Sequence, residues 1–395
     1  MRGFDPIAEG LTMQPTSRIS TNWKEPQATA VYTTGVSLHS HTSISEESLE
    51  FIHALGMALP GVKALNRRYE TICREKYGVT LDFRRANWRP PLQPKMAYDV
   101  EAEQIQKLGL YPLVSITDHD TMEAALLLRT VPSSRHIPMS VEWSAPFGQT
   151  VFHIGIHNVP SADGAEWMRR FVAYTAAPND AQLLAMLREL HAERQVLIVL
   201  NHPLWDLYKI GPAHLTELRR FIAEAGKCIH ALELNGLRHA KENKEVAVLA
   251  RETGHLLISG GDRHGLEPNA NVNLTSAKNF TEFVEEIRVE RCSHIHFMDQ
   301  YQERWEQRIL RSTLNAVTDF PQFVPGWQRW DERVFHPDAH GEMKPLSEMW
   351  MNGRPPRALM MAIRMVRLTR TPGVSAPLSL AFPGVNNLQP GLEWV

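Results

Sequence analysis

Cysteine is scarce in this sequence, and so are long apolar runs. The three cysteines, Cys73, Cys228 and Cys292, are widely spaced, which argues against a disulfide framework and a thiolate zinc site. Apolar runs such as residues 196–200 are far too short to span a bilayer. The first thirty residues include charges such as Asp5 and have no apolar core. We therefore expect no signal peptide and a reduced, cytoplasmic protein.

A surplus of charge of either sign is also missing. The chain has 42 Lys and Arg against 44 Asp and Glu, a formal net charge of −2. The chain is not basic overall, so its charge does not indicate a nucleic-acid-binding protein. Nucleic acid is expected only as a substrate, and no membrane partner is expected. Hydrophobic residues make up 43% of 395 residues. This is enough for a sizeable core in one large domain or two ordinary ones, and the oligomeric state stays open.

Short apolar runs that end abruptly in His, Asp, Glu or Asn recur along the chain. Continuous apolar runs of this length are typical of parallel strands buried on both faces. Most are separated by helix-compatible stretches, and this alternation is typical of β/α units. The seven candidate strands are 36–38, 113–116, 137–141, 151–156, 196–200, 229–234 and 256–258. We expect an α/β fold with a barrel-like sheet and one active face, at the carboxyl ends of the strands.

Two regions depart from the repeat. Residues 47–97 follow the first strand and hold nine basic against five acidic residues, so this basic insertion is expected over the active face. Residues 291–395 hold five of the ten tryptophans, and we expect a Trp-rich helical extension there. Residues 1–35 are polar and are expected to be a poorly ordered N-terminal arm. The barrel domain would then span 36–290.

Residues that bind metals collect at the predicted strand ends. His39 and His41 follow the first strand, and residues i and i+2 of an extended segment point the same way. The other candidates are His119, Glu142, His153, His202, Asp262 and His264. Each alone would more often be an ordinary surface or core residue, but their joint placement on one face indicates a metal site. Mixed imidazole and carboxylate ligands favour Zn, Mn or Fe, and their number favours several ions with a bridging carboxylate.

Four short motifs follow one another along the chain: His39-Ser40-His41-Thr42, Ile116-Thr117-Asp118-His119-Asp120-Thr121, Asn201-His202-Pro203 and Gly261-Asp262-Arg263-His264-Gly265. In sequence and order they resemble the motifs of the PHP (polymerase and histidinol phosphatase) superfamily. The resemblance covers roughly residues 36–270. It implies a distorted (β/α)7 barrel, here with an insertion after strand 1 and a helical C-terminal extension. It also implies a metal-dependent phosphoesterase that holds two or three divalent ions.

The resemblance further implies which residues hold each ion. The first metal would take His39, His41, Glu142 and Asp262. Glu142 would bridge to a second metal, held by His153 and His202. A third would take His119, His264 and the residue seven after the first His, which is Glu46 here and Asp in the most similar subgroup. Asp118 and Asp120 would either orient imidazoles or cap the next helix.

Such a site would hydrolyse a phosphate ester of a small metabolite, a nucleotide or an oligonucleotide end. The expected cofactors are two or three ions of Mn, Zn or Fe, which generate hydroxide near neutral pH. Asp262 is a possible proton acceptor. Positive side chains should bind the anionic phosphorylated substrate, and the candidates are Arg238, Arg263 and Arg85. For Arg85, with Arg84, Arg89 and Trp88 beside it, a solvated basic loop is an equally good interpretation.

Two other functions stay open at this stage. An amidohydrolase would use a similar metal site for C–N hydrolysis, although it would favour a carboxylated Lys. A non-catalytic metal-binding scaffold would use the Trp-rich extension as an interaction surface, but it should have lost ligands. His294-Ile295-His296 repeats the His-x-His spacing without the strand-end pattern, so we expect core or surface histidines there.

Overall fold

A computed structural model describes residues 15–49, 85–338, 340–350, 353–355 and 357–368, with residues 68, 71, 74, 75, 81 and 82 between. The larger part of the expected insertion, including Arg84, lies outside the described residues. The strands are β1 Thr16–Thr21, β2 Thr34–Ser37, β3 Glu47–Ser48, β4 Asn87–Trp88, β5 Tyr111–Val114, β6 Met139–Phe147, β7 Thr150–Val159, β8 Leu197–Leu200, β9 Ala231–Asn235, β10 Leu256–Gly260, β11 Asn271–Thr275, β12 Cys292–Phe297, β13 Val334–Pro337 and β14 Met343–Pro345. The α-helices are α1 Pro94–Lys107, α2 Glu123–Arg129, α3 Gly164–Ala176, α4 Asp180–Ala192, α5 Pro212–Ala225, α6 Ala240–Thr253, α7 Phe280–Glu285, α8 Trp305–Ala316, α9 Leu346–Met349 and α10 Arg357–Leu368.

Three sheets organise these elements into a mixed α/β fold. One has the order β1-β12-β11-β2-β5, the second β10-β9-β8-β7-β6, and a small third sheet β14-β13-β4-β3. All seven predicted runs are strands, because each is an apolar stretch that the fold buries. Strand pairing among the described residues does not close a barrel, so the (β/α)7 barrel is not confirmed. Two isolated bridges, Ser40 with Arg263 and His119 with Glu142, join the two five-stranded sheets at their strand ends.

The expectation of parallel strands throughout is wrong for β6 and β7. These two strands form an antiparallel hairpin, and β7 also pairs antiparallel with β8. The hairpin turn at Gly148 has φ 56°, which glycine adopts without the steric cost that a side chain would bring. Strands β8, β9 and β10 are parallel, as expected.

The largest core cluster packs helices against the second sheet. Trp143 of β6 is fully buried and stacks on Phe171 of α3, with ring centroids 4.5 Å apart. Such burial contributes on the order of 2–3 kcal/mol per large side chain. Helices α3, α4 and α5 supply one apolar face each to this cluster, for example Leu187 and Phe221. The sheet is therefore a rigid support for side chains at its strand ends.

The first sheet includes strands from segments that were expected to lie outside the barrel domain. Part of the expected arm is strand β1, which pairs parallel with β12. Strand β12 also pairs with β11, so this sheet continues past the expected domain boundary at residue 290. His294 and His296 of β12 are buried and both contact the Ser20 hydroxyl, so they are core histidines.

The third sheet joins the insertion to the C-terminal region. In it, β4 pairs with β3 on one side and with β13 on the other. Trp88 of β4 is buried against Trp330, Val334 and Trp350. This sheet holds Glu47 in place, and Glu47 takes part in the site described below.

None of the helices in the described part of the chain is long and apolar enough to cross a membrane.

Candidate metal centre

The loops after β2, β8 and β10 turn sharply to bring their side chains together. His39, His202 and Asp262 have φ values of 63°, 26° and 55°, in the left-handed region that costs non-glycine residues about 1–2 kcal/mol each. Backbone bonds hold two of these loops to each other: Asp262 N–H donates to the His39 carbonyl (2.8 Å), and His41 N–H donates to the Arg263 carbonyl (3.0 Å). The unfavourable backbone conformations therefore occur at the candidate ligands themselves, and hydrogen bonds between the loops stabilise them.

Glu142 lies at the centre of the imidazoles. Its Oε2 is 2.9 Å from His39 Nε2, 3.3 Å from His41 Nε2 and 3.4 Å from His119 Nδ1. Its Oε1 is 3.3 Å from His153 Nδ1 and 3.2 Å from His202 Nε2. Glu142 is fully buried. One carboxylate therefore faces five imidazoles, which suits a bridging ligand.

Two further carboxylates complete the cluster. Asp262 Oδ1 lies 3.5 Å from both His41 Nε2 and His264 Nδ1, and 3.6 Å from His39 Nε2. Glu47 Oε2 lies 3.0 Å from His264 Nε2 and 3.4 Å from His119 Nε2. The donors form three groups whose atoms lie within 4.8 Å of one another: His39, Glu142, His202 and Asp262; His119, Glu142 and His153; and His41, Glu47, His119 and His264.

The donor atoms fit divalent cations. Four buried atoms at the centre lie close together but make no hydrogen bond of acceptable geometry: Nε2 of His39, Nε2 of His41, Nδ1 of His119 and Oε2 of Glu142. Buried polar atoms without hydrogen bonds are costly, and bound metal ions would satisfy them. Mixed nitrogen and carboxylate donors suit Zn, Mn or Fe. The residues present therefore fit two or three such ions.

The charges inside the protein support the same interpretation. Burial lowers the pKa of His39, but Glu142, Glu233 and Asp262 outweigh it and hold that pKa well above the usual value. In the same way, Glu47 and Glu142 overcome burial and raise the pKa of His119 to about 10. Burial would raise the pKa of Glu142, yet the surrounding imidazoles hold it well below the usual range. These carboxylates attract positive charge, which a metal ion would supply.

Glu46, the sequence-predicted third-site ligand, lies outside the cluster, and Glu47 takes its place. The Glu46 side chain is about half exposed, and its Oε1 accepts from Arg89 (2.9 Å). Neighbouring residues of a strand point to opposite faces, so only one of the two can face the imidazoles. Ser45 donates to Glu47 Oε1 (2.6 Å) and so fixes which one does.

A carboxylate that the sequence analysis missed supports His39 from behind. His39 Nδ1 donates to Glu233 Oε1 at 2.5 Å, which leaves Nε2 free to face the cluster. Glu233 Oε2 accepts from the His202 backbone N–H (2.8 Å), so one carboxylate positions two candidate ligands. A Cβ atom at position 260 would overlap Glu233, so Gly260 makes this contact possible. The sequence feature that could have indicated Glu233 is a Glu inside a mostly apolar run.

Asp118 and Asp120 neither bond an imidazole nor cap helix α2 in the described contacts. Asp118 accepts from the backbone N–H (2.5 Å) and hydroxyl (2.7 Å) of Thr42. Asp120 accepts from the Ser144 N–H at 2.8 Å. Both therefore hold neighbouring loops in place, and Met122 is the N-cap residue of helix α2.

Arg263 points away from the cluster, toward the buried Glu101. Its side chain is buried, with Nε 2.8 Å from Glu101 Oε1 and Nη2 bonded to the His41 carbonyl (3.1 Å). Asp262 and His264 point into the cluster, and the residue between them points the other way. Arg263 is therefore a structural residue that supports His41.

Arg238 does lie beside the cluster, and Arg85 has no described contact with it. Arg238 Nη2 is 3.4 Å from Asp262 Oδ2, and the guanidinium stacks 3.8 Å above the Trp205 ring. Arg85 is exposed, and its backbone bonds Asp82. The Trp88 ring, three residues along the chain, lies 6.3 Å from the His264 ring between centroids.

Comparisons with known proteins give only distant structural likenesses. No family model and no curated protein matches the chain. Among solved structures, an amidohydrolase from Chromobacterium violaceum with bound sulfate and no metal is 15% identical, covers 45% of this chain and 84% of its own, and has a TM-score of 0.32. PsfC from Pseudomonas syringae is 13% identical, with 56% and 87% covered and a TM-score of 0.36. A protein from Bifidobacterium adolescentis, provisionally named a metal-dependent phosphoesterase, is 14% identical, with 51% and 92% covered and a TM-score of 0.31. The similarity to the PHP superfamily therefore rests on the sequence motifs.

Proposed function

We propose that the protein is a metal-dependent phosphoesterase. The observation that carries the proposal is a set of three donor groups linked by shared residues: Glu142 belongs to two of them, and so does His119. Sites with several metal ions a few ångströms apart are typical of phosphoryl hydrolysis, because they stabilise both the attacking and the leaving oxygen. When bound, the ions supply Lewis acidity that lowers the pKa of water and neutralises phosphoryl charge.

The residues around this centre would have different roles in metal binding, proton transfer and phosphate binding. Glu142 would bridge two ions, one held with His39, His202 and Asp262 and the other with His119 and His153. His41, Glu47, His119 and His264 would hold a third. The sequence resemblance instead pairs His41 with His39 and His202 with His153. Asp262 is the candidate proton acceptor: its Oδ1 faces the imidazoles, and its Oδ2 lies beside Arg238. Arg238 would bind a phosphoryl oxygen from the same side.

The substrate class is a phosphate ester of a small metabolite, a nucleotide or an oligonucleotide end. The cationic Arg238 beside the cluster favours an anionic substrate. C–N hydrolysis by an amidohydrolase-type site is the competing outcome, since it would use the same donors.

Metal analysis followed by a substrate panel tests the proposal. Purified protein should contain two or three equivalents of transition metal. It should then release phosphate from mono- or diesters, and chelation should abolish the release. A matched panel of amides and cyclic imides should stay unchanged. Less than one metal equivalent with none regained from Mn or Zn would contradict the metal centre. Turnover of amides without phosphate release would contradict the phosphoesterase.

A further inference from the structure

A second cavity, of about 1280 Å³, lies at the opposite end of the strands from the metal cluster. Its walls are the segments that precede β8, β9, β10 and β12, together with the end of α7. The cluster lies at the carboxyl ends of β2, β5, β8 and β10. The two sites are therefore separated by the length of the strands and share no residue.

Four cations line this cavity, and none of them has a carboxylate within ion-pair distance among the described contacts. They are Arg194, Lys227, Arg288 and Arg291. Many arginines elsewhere are paired, for example Arg170 with Glu189 and Arg220 with Asp180. The two carboxylates in the lining, Glu193 and Glu285, leave a surplus of two positive charges.

Backbone carbonyls fix two of these cations in position. Arg288 donates to the carbonyls of Glu193, Val196 (2.8 Å) and His191 (2.7 Å). Arg291 donates to the Gly254 carbonyl at 2.9 Å. These carbonyls lie at or just beyond the ends of α4 and α6, where cations are favourable. Carbonyl dipoles carry only partial charge, so the guanidinium groups keep much of their positive field.

The histidines at the cavity respond to that field. His230 lies among Arg288, Arg291, His191 and His255, and burial together with these groups holds its pKa well below the usual value. The Ile198 N–H donates to His230 Nδ1 (2.9 Å), so the proton of His230 is on Nε2 and is donated to His191 Nδ1 (2.9 Å). His191 Nε2 then carries a proton and adds a neutral donor to the lining.

We propose that this cavity is a second, non-catalytic site that binds a small polyanion such as a phosphorylated metabolite. Uncompensated cations in a concave surface attract anions, and fixed guanidinium groups suit phosphate oxygens. Arg194 and Lys227 are exposed at the rim and would close on the ligand. The proposal does not depend on the reaction at the metal centre.

Calorimetric titration of the full chain with its metals tests this site. The probe is methylenediphosphonate, whose P–C–P link is not an ester. Replacing Arg194 and Lys227 together with Ala should weaken one binding event about tenfold or more at low salt, and salt should weaken it in wild type. The matched control changes Arg169 and Lys241 to Ala, since both are exposed and the net charge is the same.

The Asp262→Asn variant separates this site from the metal centre. The proposal requires that the binding event sensitive to Arg194 and Lys227 persists in Asp262→Asn. It is overturned if the double variant binds like its control. It is also overturned if all binding disappears in Asp262→Asn. Failure of phosphate release in the substrate panel would leave this test unaffected.

Discussion

Histidines gather at both ends of the strands, with opposite neighbours. At the carboxyl ends, six imidazoles surround Glu47, Glu142 and Asp262. At the amino ends, His191, His230 and His255 line a cavity with four cations. Burial lowers the pKa of the imidazoles at both ends where a shift is resolved. Carboxylates reverse that effect at His39, His41 and His119, whereas Arg288 and Arg291 reinforce it at His230.

The neighbouring charges, and not the histidines themselves, decide what each end of the strands can bind. Surplus carboxylate charge around imidazole nitrogens suits a metal cation. Surplus guanidinium charge around imidazole N–H groups suits an anion. His202 is the exception in the cluster: burial lowers its pKa to about 4, and Arg238 adds to that effect. A neutral imidazole there is still a competent metal ligand.

The largest effect should come from changing Glu142 to Gln. The carboxylate faces five imidazoles, so the neutral amide removes the charge that two of the three donor groups share. We expect the metal content to fall and kcat/KM for the best phosphoester to drop more than about 100-fold, since even residues that only support ligands cost about 10–100-fold. Elemental analysis and steady-state kinetics measure both.

Its control is Glu193→Gln at the other end of the strands, which should leave both values unchanged. A Glu142→Gln variant with full metal content and activity within about tenfold of wild type, or about 1.4 kcal/mol of barrier, would break the contrast between the two ends.

A smaller effect should separate Glu47 from Glu46. Glu47→Gln removes the carboxylate from the group with His41, His119 and His264, so about one metal equivalent should be lost and activity should fall about 10–100-fold. Glu46→Gln changes an exposed side chain paired with Arg89, and surface pairs contribute about 0–1 kcal/mol. Metal analysis of the two variants side by side gives the answer. Loss of metal from Glu46→Gln alone would restore the sequence-based assignment.

This pair of residues also shows where the sequence argument stops. The seven strands could be predicted because each is a short apolar run that ends in a polar residue, and burial follows directly from that pattern. The choice between Glu46 and Glu47 depends on a strand of only two residues, and one step along a strand reverses the face. Motif spacing cannot resolve that step.

Other parts of the site depend on contacts between distant segments. Glu233 lies 194 residues from His39 along the chain, and only the fold brings its carboxylate to Nδ1. Arg263 sits between two candidate ligands, yet buried Glu101 of α1 pairs with it on the opposite side. The amino-end cavity has no motif at all, because its cations come from three separate segments, with Arg288 and Arg291 in the same one.

The smallest effect concerns the pH dependence of stability at the amino ends. His230 is neutral in the folded protein and, with an ordinary pKa near 6.5, titrates in the unfolded chain. As the pH falls below about 6.5, the unfolded chain therefore binds a proton that the folded protein does not, and stability decreases. The loss should be about 1 kcal/mol between pH 6.5 and 5.5. His230→Gln removes this group, so its free energy of unfolding should change less over the same range. Urea titrations of both proteins at the two pH values, with metal present in excess, measure the difference.

A second variant, Arg288→Glu, replaces one of the cations beside His230 with a carboxylate. The folded protein should then take up a proton on His230 nearer the ordinary pKa, so the free energy of unfolding should fall less steeply with decreasing pH than in wild type. If Arg288→Glu keeps the wild-type slope while His230→Gln flattens it, burial and not the positive field holds His230 neutral. Equal slopes for all three proteins would show that His230 does not contribute to the pH dependence.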